Sequence, residues 1–280
     1  MAQIQTFVFF DTEATGLPCY DVPKITELAM IACSREHLLE AAKNKVPRVI
    51  SKLLLPFNPC KNIHPDSTEI TGLDNFMLDK TKKLDDNTVN LINCFFSQLN
   101  APICLVAHNG DRFDYPLLKR QLKQLSVPFN EHILCVDSLT LFKKIEENAT
   151  SAGSALEEFV NTDLQAVQKR NEKTPSKGVS FALISRNPYE KPSAARRLFA
   201  SQSNSSSASN VHPGNSLSST KKSYKLTEIY KRLNERTPDV AHNAEADTIT
   251  MLLCAIAVKD EFVQMADSMA IRFDDVGIKF

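Results

Sequence analysis

Asp11 and Glu13 stand two positions apart, directly after the run Phe7-Val8-Phe9-Phe10. That run is short, aromatic and β-branched, which favours a buried strand. Side chains alternate along a strand, so both carboxylates leave the same face. Two such acids repel unless a cation sits between them, and oxygen-only ligands suit a hard ion such as Mg²⁺ or Mn²⁺. Taken alone, the Asp-Thr-Glu triplet also fits two solvated acids at a strand end. Two later places add weight. Asp114 closes the loop His108-Asn109-Gly110-Asp111-Arg112-Phe113-Asp114, and His242 precedes Asp247 by five residues. The loop follows an apolar strand, at the end of a sheet where α/β proteins bind ligands; Asp114 would equally serve as a helix cap. Residues five apart lie well separated around a continuous helix. His242 is therefore expected in the loop before the helix, leaning back toward Asp247. A lone histidine is more often structural than catalytic, but one five residues before an acid, in a chain that already holds Asp-x-Glu and a loop Asp, is a better candidate.

Positioning these groups takes a sheet and its covering helices. Strands are expected at Ile25 to Cys33 and at Arg48 to Leu55, which continue the first strand as an antiparallel meander. Ile103 to Ala107 and Ile133 to Val136 supply two more. Helical spacing of apolar residues marks Asn87 to Leu99, Tyr115 to Leu125, Leu139 to Ile145, a segment from Tyr224, and a last long helix from about Asn243. Strands that alternate with helices after a meander predict an α/β fold, a mixed sheet flanked by helices.

Composition separates a core from an insertion. From Lys169 to Arg197 eight basic residues face two acids, and from Ser201 to Thr220 there are nine serines with little to fill a core. Such a tract cannot offset its ordering entropy and is expected to be disordered. Apolar helices resume after it and need the sheet that precedes it. The chain therefore reads as one discontinuous domain, 1–148 plus 221–280, interrupted by a basic, Ser-rich insertion at 149–220. Ala155 to Val167 is expected as an isolated helix within it.

Thirty-three basic residues balance thirty-three acidic ones among 280, so any nucleic-acid contact must come from local patches. The seven cysteines are scattered and never spaced Cys-x-x-Cys, as expected of reduced thiols inside cells rather than a disulfide frame or zinc site. No signal peptide and no apolar stretch long enough to span a membrane are visible. The expectation is a soluble intracellular protein of the cytoplasm, the nucleus or both.

The motifs resemble those of a known family. Phe10-Asp11-Thr12-Glu13-Ala14-Thr15-Gly16-Leu17-Pro18 is similar to the first exonuclease motif of the DEDDh 3′→5′ exonucleases. Ala107 to Asp114 resembles the second, and His242-x-Ala244-Glu245-x-Asp247 the third. Within that family the three-prime repair exonuclease (Trex) group is most similar, through Glu69-Ile70-Thr71-Gly72-Leu73, Val136-Asp137-Ser138 and Lys222-Ser223-Tyr224-x-Leu226. The resemblance covers residues 4 to 146 and 221 to about 273.

It implies a ribonuclease H-like fold with a five-stranded mixed sheet, and hydrolysis of phosphodiesters with two Mg²⁺ ions, or Mn²⁺. Asp11, Glu13, Asp114 and Asp247 would be the metal ligands and His242 the general base. Leu17 and Ile70 would pack against terminal bases, which every base's face permits, although plain core packing explains such residues as well. Phe113 occupies a position of tyrosine in the family and keeps the ring. Arg112 and Lys143 are expected on phosphates, or as ordinary surface charges. The implied substrate is the 3′ end of single-stranded or frayed double-stranded DNA, and the implied assembly a homodimer through the third strand. A 3′→5′ exoribonuclease uses the same acids. An inactive nucleic-acid-binding module is disfavoured, since all five active-site residues are present. The Ser-rich insertion stands roughly where mammalian Trex proteins carry a proline-rich segment. One mammalian form carries a long tail ending in a membrane anchor, which is not expected here.

Overall fold

A computed structural model of the chain describes residues 3–151, 222–238 and 242–278. The sheet-bearing unit draws on both Met1–Lys143 and Ser218–Phe280. The expected helix at Ala155 to Val167, and all but 149–151 of the expected insertion, lie outside the described residues; 149–151 are helical.

Strands β1 (Thr6–Ala14), β2 (Ile25–Ser34) and β3 (Ser51–Pro56) form the antiparallel meander. Strands β4 (Ile103–Ala107) and β5 (Leu134–Asp137) add parallel to β1, and β6 (Ile271–Arg272) closes the sheet antiparallel to β5. The order is β3-β2-β1-β4-β5-β6. The sheet is mixed and flanked by helices, as expected, but has six strands where five were expected. The sixth spans two residues, too few for alternation to register, and exists through the pairing of Ile271 with Cys135 and Arg272 with Leu134.

Parity along β1 organises both layers. Val8 and Phe10 face α4 (Asp86–Ser97) and α5 (Asp114–Leu122), in one cluster with Ile92, Phe96, Leu117 and Leu118. Phe10 stacks on Tyr115 with ring centroids 6.2 Å apart. Phe7 and Phe9 face the opposite way, with centroids 5.8 and 6.2 Å from Phe262 of α9 (Lys259–Met269). β2 is buried along nearly its whole length, which explains its unbroken apolar run. β3 alternates between exposed and half-buried, as befits an edge.

The helices depart from expectation in places. The segment from Tyr224 becomes α7 (Leu226–Asn234), after the helix that starts at 138 and is counted as α6. The last long helix breaks at Val258 into α8 (Ala244–Ala257) and α9. Three short helices escaped the periodicity: α1 (Arg35–Glu40), α2 (Pro65–Thr71) and α3 (Asn75–Leu78). They are set by caps instead of an apolar stripe: Ser34, His64 and Asp74 each accept a backbone N–H with the side chain. Among the described residues no helix is long and apolar enough to cross a membrane.

Candidate active site

The parity that sends Phe7 and Phe9 toward α9 also sends Asp11 and Glu13 toward the α8 side. There they meet Asp247, in the first turn of α8. The ligand oxygens of these three acids lie within 4.8 Å of one another. A break in the β1–β2 register between Glu13 and Ala14 follows at once, a distortion common beside active sites.

Asp114 stands apart from that trio. Its Oδ1 accepts the Thr12 hydroxyl at 2.7 Å and the Thr12 N–H at 3.1 Å, and the residue is 3% exposed. Thr12 shares the parity of Val8 and Phe10, so Asp114 comes to the strand end from the α5 layer. Asp114 thus meets β1 just past its last pairing with β4, close enough for its charge to act on both Asp11 and Glu13.

All four carboxyls resist ionisation. Burial pushes Glu13 up to about 7, with Asp247, Glu27 and Asp114 adding repulsion. Burial likewise carries Asp114 up to about 7, opposed by the Thr12 hydrogen bonds. Asp11 is held well above the ordinary carboxylate range, by burial first and then by Asp114, Glu13 and Asp247. Asp247 rises through burial, moderated by the His242 N–H and the nearby His242 charge. Oxygen donors this close, each costly to ionise where it is buried, fit a hard divalent cation.

His242 lies in the loop before α8, in a left-handed conformation at φ 63°. Its N–H donates to Asp247 Oδ2 at 3.1 Å, and its side chain is exposed. Asn243 caps α8 by accepting the Ala246 N–H. One turn of chain therefore ties histidine and acid together across the five-residue interval.

Two acids outside the expected set do positioning work. Glu27 pairs with Glu13 across β1 and β2, and its Oε2 accepts the Ala244 N–H at 3.2 Å. It fastens the N-terminus of α8, which favours an anion. Its only sequence signal is one acid inside an apolar run. Asp137 accepts the N–H groups of Asn109 and Leu139 at 2.9 Å and of Asp111 at 3.4 Å, folding the loop that delivers Asp114. Gly110 is obligatory in that loop, since a Cβ would come within 2.6 Å of the Ala107 Cβ. His108 fixes the same loop to the C-terminal segment. Its Nε2 lies 3.0 Å from the Tyr224 carbonyl, which can only accept. Nε2 must carry the proton, which leaves Nδ1 to accept the Ser138 hydroxyl at 3.0 Å.

Of the expected substrate contacts, Leu17 and Ile70 are 54% and 56% exposed, so core packing does not account for them. Arg112 is exposed, and Phe113 is half-buried against the core. The Lys143 ammonium lies 5.2 Å from the Tyr224 ring centroid, with the Arg232 guanidinium 5.3 Å from it.

Residues 8–174 match the family profile RNase_T, described as exonuclease. The chain is 41% identical over 154 residues to the Homo sapiens protein named three-prime repair exonuclease 1, covering 51% of this chain and 49% of that one. It thus spans about half the length of that relative. It is 27% identical over 273 residues to Mus musculus three prime repair exonuclease 2, covering 95% and 89%. Among solved structures it is similar to the E. coli ExoI–ssDNA complex (TM-score 0.51, 15% identity, 95% of this chain and 43% of the other). It is also similar to the nuclease domain of 3′hExo, a DEDDh family member bound to rAMP (TM-score 0.50, 12% identity, 92% of each). These last two likenesses bear on the fold alone.

Proposed function

The chain belongs to the RNase_T exonuclease family, and from that premise we propose that it is a metal-dependent 3′→5′ exodeoxyribonuclease releasing mononucleotides from DNA 3′ ends. The convergence of Asp11, Glu13 and Asp247 within 4.8 Å carries this reading. Asp11, Glu13 and Asp247 would hold the metal, two Mg²⁺ or Mn²⁺ ions, with Asp114 completing the set from its seat on Thr12. Bound there, divalent ions supply an acidified water and charge stabilisation for the leaving 3′-oxygen.

The chain's own residues do the rest. His242 takes the proton of the attacking water from a loop that its backbone anchors to Asp247. Leu17 and Ile70 pack against terminal bases, and their exposure at rest leaves them free to do so. Phe113 supports the strand at the loop. Arg112 and Lys143 neutralise phosphates, Lys143 from its seat on Tyr224. The catalytic domain is 1–148 plus 221–280, with the basic insertion 149–220 as an added contact for longer nucleic acid.

DNA is favoured by 41% identity to a protein named a repair exonuclease. A digestion panel of matched DNA and RNA oligonucleotides, single- and double-stranded, with Mg²⁺, Mn²⁺ or EDTA, tests substrate and metal together. Release of deoxymononucleotides from single-stranded and frayed 3′ ends, abolished by EDTA, is the expected result. Faster release from RNA would make the enzyme an exoribonuclease, and no release from any substrate would make it a binding module.

The enzyme acts as a homodimer joined through β3, whose outer edge the sheet leaves free. Leu53 and Leu55 pack on the core, whereas Leu54 and Val49 are exposed. Replacing Leu54 and Val49 with lysine places like charges across the two-fold axis without opening the core. Light scattering should report dimer for the parent and monomer for the variant. A monomeric parent at micromolar concentration would rule the dimer out.

A further inference from the structure

A cavity of about 260 Å³ opens at Thr15, two residues past Glu13, and is lined by Leu17, Tyr20, Asp21, Lys61 and His64 among others. We propose that it takes a second nucleobase of the strand being digested, stacked against the paired rings of Tyr20 and His64. This rests on the nuclease reading above.

Tyr20 and His64 lie parallel, with centroids 4.0 Å apart and ring planes within 1°. Tyr20 is nevertheless 54% exposed, so the pair is a platform and not a piece of core. Both rings are held in place. The Tyr20 hydroxyl donates to Asp66 Oδ2 at 3.1 Å, and His64 Nδ1 accepts the Asp66 N–H at 3.3 Å. The platform is fixed to the catalytic strand as well. The His64 N–H donates to the Thr15 carbonyl at 2.7 Å, and the Ser67 hydroxyl to the Ala14 carbonyl at 2.6 Å. Those carbonyls belong to the residues that directly follow Glu13.

The chemistry of the walls narrows the ligand. Lys61 donates to Asp21 Oδ2 at 2.6 Å and to the Val22 carbonyl at 2.8 Å. Its charge is answered locally, so among the described residues the cavity offers an anion no free cation of its own. The same ion pair occupies the Asp21 carboxylate, and flat rings, apolar side chains and the uncharged Asn62 amide remain, which suits an uncharged planar group. Leu17 borders the cavity and is also a terminal-base contact, so a strand running from the acids would meet the platform with a neighbouring base. Stacking accepts all four bases, in keeping with a nuclease of low sequence preference.

The test is equilibrium binding of labelled single-stranded DNA, with Ca²⁺ replacing Mg²⁺ to slow turnover. In a matched set of oligonucleotides, each of the last four bases in turn is replaced by an abasic unit. Tyr20→Ala and Tyr20→Leu should each weaken binding of the intact oligonucleotide roughly tenfold to a hundredfold, the range of one lost base stack. Tyr20→Phe should stay close to the parent. One abasic position should cost the parent as much, and Tyr20→Ala should lose nothing further there. Losses that add at every position, or Tyr20→Ala binding as tightly as the parent, would overturn the subsite while leaving the nuclease reading intact. A parent that binds no oligonucleotide would overturn both.

Discussion

Asp11→Asn should lower turnover by about three orders of magnitude or more and should make the metal-free protein more stable to heat. On the proposed mechanism the loss follows from removing a ligand of the ions whose charge would stabilise the transition state. The stability gain follows from the company Asp11 keeps. Its carboxyl is held well above the ordinary range by burial and by Asp114, Glu13 and Asp247, so an ionised Asp11 is repelled in the fold and not in the unfolded chain. Asparagine keeps the shape and removes the charge.

The sign extends to pH. Glu13 and Asp114 titrate near 7 in the fold, by burial first, against about 4 when unfolded. Between those values the folded state binds more protons, so stability falls as pH rises from about 4 to about 7. Scanning calorimetry in EDTA should follow that slope. Mg²⁺ binds the deprotonated acids and should flatten it, stabilising the parent more than Asp11→Asn. A variant less stable than the parent in EDTA would mean that protein partners, not a cation, compensate Asp11. Undiminished turnover in EDTA would remove the metal from the mechanism altogether.

The part of this site legible in the sequence was the part governed by local periodicity. A period of two places Asp11 and Glu13 together whatever surrounds them, and the same parity carries Phe7 and Phe9 to Phe262. His242 and Asp247 lie close in sequence, and a loop before a helix was enough to expect their approach. Asp114 is different. Its place in the loop was legible, but its seat beside β1 depends on Thr12, the residue between the two first acids. Contacts between distant residues left no periodic trace. Glu27 reaches Ala244 across 217 positions, and Tyr20 stacks on His64 from another loop. β6 is similar: two exposed residues become a strand only because β5 is there to pair with.

His242→Ala should lower kcat by about 10² to 10⁴ while leaving substrate affinity within a few-fold. The imidazole is exposed at rest and joins the acids through its backbone N–H to Asp247. That bond is made by the main chain, so alanine keeps it, and the loop and α8 cap should survive. What alanine lacks is the proton acceptor, which acts only as the water attacks. An interaction made only in the transition state shows in kcat and in kcat/KM equally, with KM little changed. The pH profile separates this role from a structural one. In the parent, the pH profile of kcat should carry an ascending limb, and in the variant that limb should vanish. Imidazole added to the buffer should restore part of the rate to His242→Ala and none to Asp11→Asn. A variant with normal kcat but much weaker binding would make His242 a substrate contact, and the base would then have to be sought elsewhere in the cleft.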